Sequence, residues 1–248
     1  MARYRRSGSS AFTFGGRVPA AIGAVGTAMV VATVANWITR GVAADLLAIR
    51  ADWVYPGLQL WRLLTWPFVQ GDPITLLFAG LMFVWTGAQL AFEWSERTLL
   101  ARMVWIALGA GLATTAFGLV WTPAQRLGYT GVWPVANALL FTWALLHPDA
   151  EMRWFFAISV TGKTVALVLV VGTVLYGLYL GGLLGIAAMV PHLSALAVSW
   201  VLLQRRARVR RPWLRARQRW YEWQARRRAR HLRVVRKNGS DERGRWLN

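Results

Sequence analysis

A threonine between two glycines and a distant histidine are the residues of this chain best placed to do chemistry. Gly128-Tyr129-Thr130-Gly131 sets a hydroxyl beside two residues without side chains, where another backbone or helix can come close. His192, in the segment MVPHLSALAVSW, is the one titratable side chain lying inside the outer end of an apolar run. An imidazole facing a hydroxyl is the arrangement of a general base and its nucleophile. The plainer reading has Thr130 and its glycines lining helix contacts and His192 bonded to a neighbouring hydroxyl. Spacing alone leaves both open.

Other chemistries lose ground on composition. The chain has no cysteine, so thiolate catalysis and Cys-based metal sites are excluded. His147 and His231 are far from His192, with no carboxylates gathered near, so no metal site is expected and no cofactor is implied. No Asp or Glu falls at the centre of an apolar run, where a proton relay or ion-coupled transporter would need one. The stretch AISVTGKT, residues 157–164, fits a loose phosphate-loop pattern. It sits between an aromatic run and an apolar run rather than between a strand and a helix of a soluble sheet, so nucleotide binding is not expected.

The elements that must position these residues are apolar helices. Apolar residues make up 56% of the 248, and charged residues only 16%, against roughly 25% in soluble domains. The apolar residues gather into runs near the ~20 residues that cross a bilayer. Six are marked: Val18–Ile38, Pro73–Phe92, Thr98–Trp121, Tyr129–Leu146, Thr164–Leu178 and Ala188–Leu203. In lipid each backbone polar group must be satisfied within its own segment, so the runs are read as helices. The fold class expected is all-α, a polytopic six-helix membrane bundle. It divides into a basic N-terminus (1–17), a membrane domain (18–203) and an Arg/Trp-rich tail (204–248). The start resembles a signal peptide, but its apolar run is too long for a cleaved one and is read as a retained span. The long connection Gly41–Asp72 carries Trp53, Tyr55, Trp61 and Trp66, which suit the membrane interface. The two halves differ in span length and loop pattern, which argues against an inverted-repeat transporter.

The net charge of +19 is concentrated at the ends. Four arginines precede the first run, and seventeen of the 29 Lys and Arg lie between Arg205 and Arg245. With alternating spans these ends, Arg97, Arg102, Arg153 and Lys163 fall on one side, which is then cytoplasmic. The GYTG turn faces outward. In the tail, Trp213, Ala216, Trp220 and Trp223 recur at helical spacing among arginines, a pattern for an interfacial helix on anionic lipid. The alternative is a solvated, disordered basic tail, and nucleic acid is the runner-up partner.

Taken in order, these residues resemble the rhomboid family of intramembrane serine proteases and their inactive relatives. WRLLTWPF, residues 61–68, is similar to the family's first loop with its Trp-Arg pair, here Trp61 and Arg62. TLLFAGLMFVWTG, residues 75–87, resembles the HxxxN span, and Gly128–Gly131 stands where the family has GxSG. Residues 145–167 are like its short cytoplasmic connector, and His192 stands at the base position. The resemblance covers roughly 60–203. It implies a Thr130/His192 dyad, with Thr75 and Ala79 at the oxyanion-supporting His and Asn positions. Gly128, Gly131 and Ala195 would be structural.

The departures bear on activity. A threonine methyl restricts χ1 and crowds attack. Ala79 donates nothing to an oxyanion, and losing one such donor costs about 3–4 kcal/mol. Pro134 has no N–H, so within a helix it would deprive the Thr130 carbonyl of its partner. Ala195 and Ser199 stay small, which lets the fourth and sixth helices approach. The expected protein is thus a rhomboid-like pseudoprotease, leaning away from enzyme activity. It binds transmembrane segments of clients in a cleft lined by Thr75, Thr130 and His192, and anionic lipid through its tail. The alternatives are a live peptidase using Thr130 and His192, and a non-enzymatic lipid-interacting protein.

Overall fold

The apolar runs become helices whose ends are written in local residue chemistry. A computed structural model describes residues 18–154 and 158–204. Helix α1 spans Ala20–Ile38. The first connection holds three short helices, α2 (Val42–Leu47), α3 (Ala51–Val54) and α4 (Arg62–Thr65), and a 3₁₀ turn over Trp66–Phe68. Helix α5, Pro73–Glu93, starts where Asp72 accepts the Thr75 N–H at 2.7 Å and Pro73 supplies a residue that needs no donor. Helix α6, Glu96–Val120, is capped by Ser95 and carries Glu96 in its first turn, where the dipole favours a carboxylate. The short α7, Thr122–Gln125, leads to α8, Trp133–Leu146.

The connector after α8 departs from an all-α chain by forming a two-stranded sheet. Glu151–Trp154 (β1) pairs antiparallel with Ile158–Thr161 (β2). Its base is tied down by a Lys163–Asp149 ion pair at 2.7 Å and by Gly162, where a Cβ would lie 2.1 Å from the His147 carbonyl oxygen. Helix α9, Gly162–Ala188, loses helical geometry at Gly181 and Gly182. The positive φ of Gly182, 61°, is a conformation only glycine adopts easily. The Gly-rich stretch 179–187, which lies between the fifth and sixth apolar runs, therefore falls within an element that continues beyond the break to Ala188. Helix α10, Val190–Gln204, follows.

Four helices, α1, α5 (over Pro73–Ala91), α6 and α9, are long and apolar enough to cross a membrane; α8 and α10 are shorter apolar helices. At 1.5 Å per residue, the 14 residues of α8 reach about 21 Å, short of a hydrocarbon core of ~30 Å. Helix α8 is also the most enclosed. Ten of its residues are buried, against six of the 27 in α9, and it packs on both α5 and α9. The core gathers around it, with Ala79, Phe83, Leu99, Ile106, Leu139 and Ala195 among the buried side chains. Where α6 meets α10, a Cβ on Gly109 would lie 2.7 Å from Val198. So the close helix contact that glycine permits here joins the third and sixth apolar helices.

His147 closes α8. Its Nδ1 lies 3.2 Å from the Trp143 carbonyl and its Nε2 lies 2.8 Å from Glu93 at the end of α5. The ring also stacks on Trp143. His147 thus joins the ends of two central helices. The basic N-terminus, residues 1–17, and the tail from Arg205, with Trp213, Ala216, Trp220 and Trp223, lie outside the described residues.

Candidate functional site

The segment before α8 is not helical. The apolar run read as a helix from Tyr129 gives one only from Trp133. The intervening residues stay outside the helix because they find partners elsewhere. Tyr129 exchanges both backbone hydrogen bonds with Ile49 of the first connection, each 3.0 Å. The Gly131 N–H donates to the Trp66 carbonyl at 3.0 Å. The Tyr129 hydroxyl donates to the Ala187 carbonyl at 3.0 Å, near the end of α9. Gly131 has φ 110°, and a Cβ there would come within 3.0 Å of Gln70 Oε1. The second glycine of GYTG is therefore required by backbone geometry as well as by space. Gly128 is less constrained, with only the Arg50 side chain near the position of a Cβ.

This geometry changes the role of Pro134. It is the second residue of α8, where its missing N–H is one that the helix would leave unpaired anyway. Thr130 lies before the helix, so its carbonyl loses nothing to Pro134.

Thr130 and His192 come together on the wall of one cavity of about 270 Å³. Gly128, Tyr129 and Pro134 line it from one side, Pro191 and Ala188 from the other, with Trp66 and Leu127. No hydrogen bond joins Thr130 to His192. The Thr130 side chain is exposed and its hydroxyl bonds to no described residue, and His192 Nδ1 is buried without a partner among the described residues. No hydroxyl of the described residues bonds to His192 Nδ1. Ser194, on the same helix, donates back to the Val190 carbonyl at 2.7 Å.

The second-span positions lie elsewhere. Thr75 and Ala79 do not line the cavity. The Thr75 hydroxyl donates to Asp72 at 2.5 Å and is used in capping α5, while Ala79 is packed into the core with no exposure. A cleft lined by Thr75, Thr130 and His192 is therefore corrected to one lined by Thr130 and His192. Ala195 and Ser199 are both buried, as their small size allows, and the Ser199 hydroxyl donates to the Leu196 carbonyl.

The Trp61-Arg62 pair shapes the lobe that supports the Thr130 turn. Arg62 is buried, and donates from Nε to Gln59 Oε1 at 2.5 Å and from Nη1 to the carbonyls of Asp45 and Ala48 at 2.5 and 2.7 Å. Its guanidinium lies over the Trp53 ring, as does that of Arg50. Burial pushes the Arg62 guanidinium down from its ordinary value, against the opposing pull of Asp45. It remains charged, as an arginine does. Trp61 stays exposed and donates to the Leu46 carbonyl at 3.2 Å. Trp66, assigned to the membrane interface with the other aromatics of this connection, is instead buried and donates from its indole to the Ala107 carbonyl.

Two features escaped the sequence. Gln70 is wholly buried behind Gly131; its backbone N–H donates to the Thr33 hydroxyl and its Nε2 to the Pro67 carbonyl, yet Oε1 has no partner among the described residues. A lone amide side chain just before an apolar run was its only signal. A second cavity, of about 80 Å³, is lined by apolar residues including Met29, Phe68, Met103 and Val135. It holds no group for chemistry, and the candidate site is the one holding Thr130 and His192.

Four helices long and apolar enough to cross a membrane are those of a multi-pass integral membrane protein. The sequence pattern of the eukaryotic integral membrane protein family DUF1751 covers residues 22–208, and the chain belongs to that family. No curated protein matches it.

Proposed function

We propose that this protein is a rhomboid-like pseudoprotease that holds transmembrane segments of client proteins at the Thr130/His192 cavity. The observation carrying this reading is that both residues line one cavity without bonding to each other, while the Thr75 hydroxyl is spent on Asp72 and Ala79 is sealed in the core. A hydrolase needs donors aimed at the developing oxyanion, and these positions offer none to the cavity. A client segment needs partners for polar groups that lipid leaves bare, and unpaired side chains at the cavity can supply them. On this reading α8 and α10 complete a six-span bundle. A span of about 21 Å ends inside the membrane, which sets the Thr130 turn below its outer face. Both termini are cytoplasmic, and the basic tail meets anionic lipid.

The test is cleavage of a model transmembrane substrate by purified protein in liposomes, alongside photo-crosslinking of that segment from a probe at residue 128. Crosslinking without cleavage is expected. Cleavage that disappears in Thr130→Ala with unchanged thermal stability would install the peptidase reading, which their shared cavity favours. Reporter fusions in the 93–97 and 147–163 connections and at both termini test the orientation; an external tail would overturn it.

A further inference from the structure

We infer that His192 carries its proton on Nε2, which makes the cavity a hydrogen-bond donor site for uncharged carbonyl oxygens. The juxtaposition behind this is a ring that lines the 270 Å³ cavity while its Nδ1 is buried with no partner among the described residues. A neutral imidazole has one N–H and one lone pair, so the two tautomers leave different things in the buried position. With the proton on Nδ1, a buried N–H has no acceptor. With the proton on Nε2, only a lone pair is orphaned. Orphaned buried N–H groups are the rarer of the two in folded proteins. Ser194, two residues on along α10, donates to the Val190 carbonyl and is not bonded to Nδ1.

The nitrogen left to serve the cavity is Nε2, and in this tautomer it donates. Thr130, exposed on the same cavity wall, adds a hydroxyl. Nε2–H can only donate to that space, and the Thr130 hydroxyl can donate beside it. Together they suit a carbonyl, ester or carboxamide oxygen, and the imidazole N–H disfavours an ammonium or guanidinium group. The same tautomer removes the lone pair that a general base would need to take the Thr130 proton, just as a wrong histidine tautomer disables a serine-type site. The ligand half of this inference rests on the client-binding reading, with the carbonyl supplied by the client segment. The tautomer stands independently of it.

The tautomer is read by nitrogen NMR of the full chain in nanodiscs at neutral pH, with ¹⁵N-labelled histidine. His192→Gln assigns the signal; if that variant does not fold, His147→Gln and His231→Gln assign it by elimination. Protonated Nε2 is expected, and protonated Nδ1 would overturn the inference. The ligand class is read by binding of apolar transmembrane peptides in nanodiscs. One carries a central glutamate γ-methyl ester, which only accepts; its control carries norleucine. The ester peptide is expected to bind about 3- to 10-fold tighter, with the advantage lost in His192→Phe. Equal binding would overturn the donor site while leaving client binding intact. No binding of either peptide would instead overturn client binding and the ligand half with it. Repeating the pair in ether-linked lipid separates the source of the carbonyl. Unchanged affinities support the client. Ester-peptide binding that appears only without lipid esters would assign the cavity to lipid and overturn the client as source.

Discussion

Two regions meet at Trp66, and they treat buried polar groups in opposite ways. In the first connection Arg62 is 4% exposed, yet its guanidinium donates to three acceptors and lies on Trp53. Beside it, at the mouth of α8, Gln70 Oε1 and His192 Nδ1 are buried without partners among the described residues, and the exposed Thr130 hydroxyl bonds to none of them. A buried polar group left unpaired costs about 1–3 kcal/mol, so saturation builds rigidity and its absence leaves something for a guest to satisfy. The saturated region is the scaffold. Its Ile49 and Trp66 backbones hold the Tyr129 and Gly131 ends of the unsaturated one.

The sharpest way to break this comparison is Arg62→Ala. It strands three acceptors at once, and a loss of about 3–5 kcal/mol is expected in unfolding measured in mild detergent. Arg62→Lys should recover only part, because an ammonium cannot reproduce the planar fork. A loss below about 1 kcal/mol in Arg62→Ala would mean that the lobe is not held by this residue.

Gly131→Ala should come next, at about 1–2 kcal/mol, from forcing a Cβ into a φ of 110° and against Gln70. Crosslinking from residue 128 should fall with it, since the turn that presents Thr130 is displaced. A neutral result would show that the turn has room the geometry does not reveal.

Acid tests the cap at the start of α5. Hydrogen bonds from the Thr75 hydroxyl and N–H hold the Asp72 carboxyl below its ordinary value of 3.8. A lowered folded value means that the ionised form favours the fold. The contribution is complete above 3.8 and is lost as pH falls through the lower, folded value. Asp72 is exposed, so the effect is small. The stability gap between wild type and Asp72→Asn should close in that acid range, and a gap that widens there would contradict the cap.

The smallest effects belong to the site itself. Thr130→Ala and His192→Phe strand no partner, so neither should cost more than about 0.5 kcal/mol of stability. The reading in which His192 bonds a neighbouring hydroxyl would give a larger loss. A loss above about 1 kcal/mol in either variant would show a partner to that residue and erase the contrast between the regions.

Much of this protein was legible in the chain because bilayer-length apolar runs and helix caps are local signals. Pro73 after Asp72, and Ser95 before Glu96, mark where α5 and α6 begin without reference to anything distant. Gly131 and Arg62 could be singled out from motif resemblance, and both prove to be structurally exacting positions. What the sequence alone could not decide was partnership. Whether Tyr129 opens a helix or pairs with Ile49 depends on a residue eighty positions away. The same is true of Trp66, whose burial follows from an Ala107 carbonyl within reach, and of Pro134, harmless only because the helix starts one residue earlier. Periodicity reports what a segment can do by itself. Which polar groups are satisfied, and which are left open at a cavity, is determined only when distant segments are brought within about 3 Å of one another.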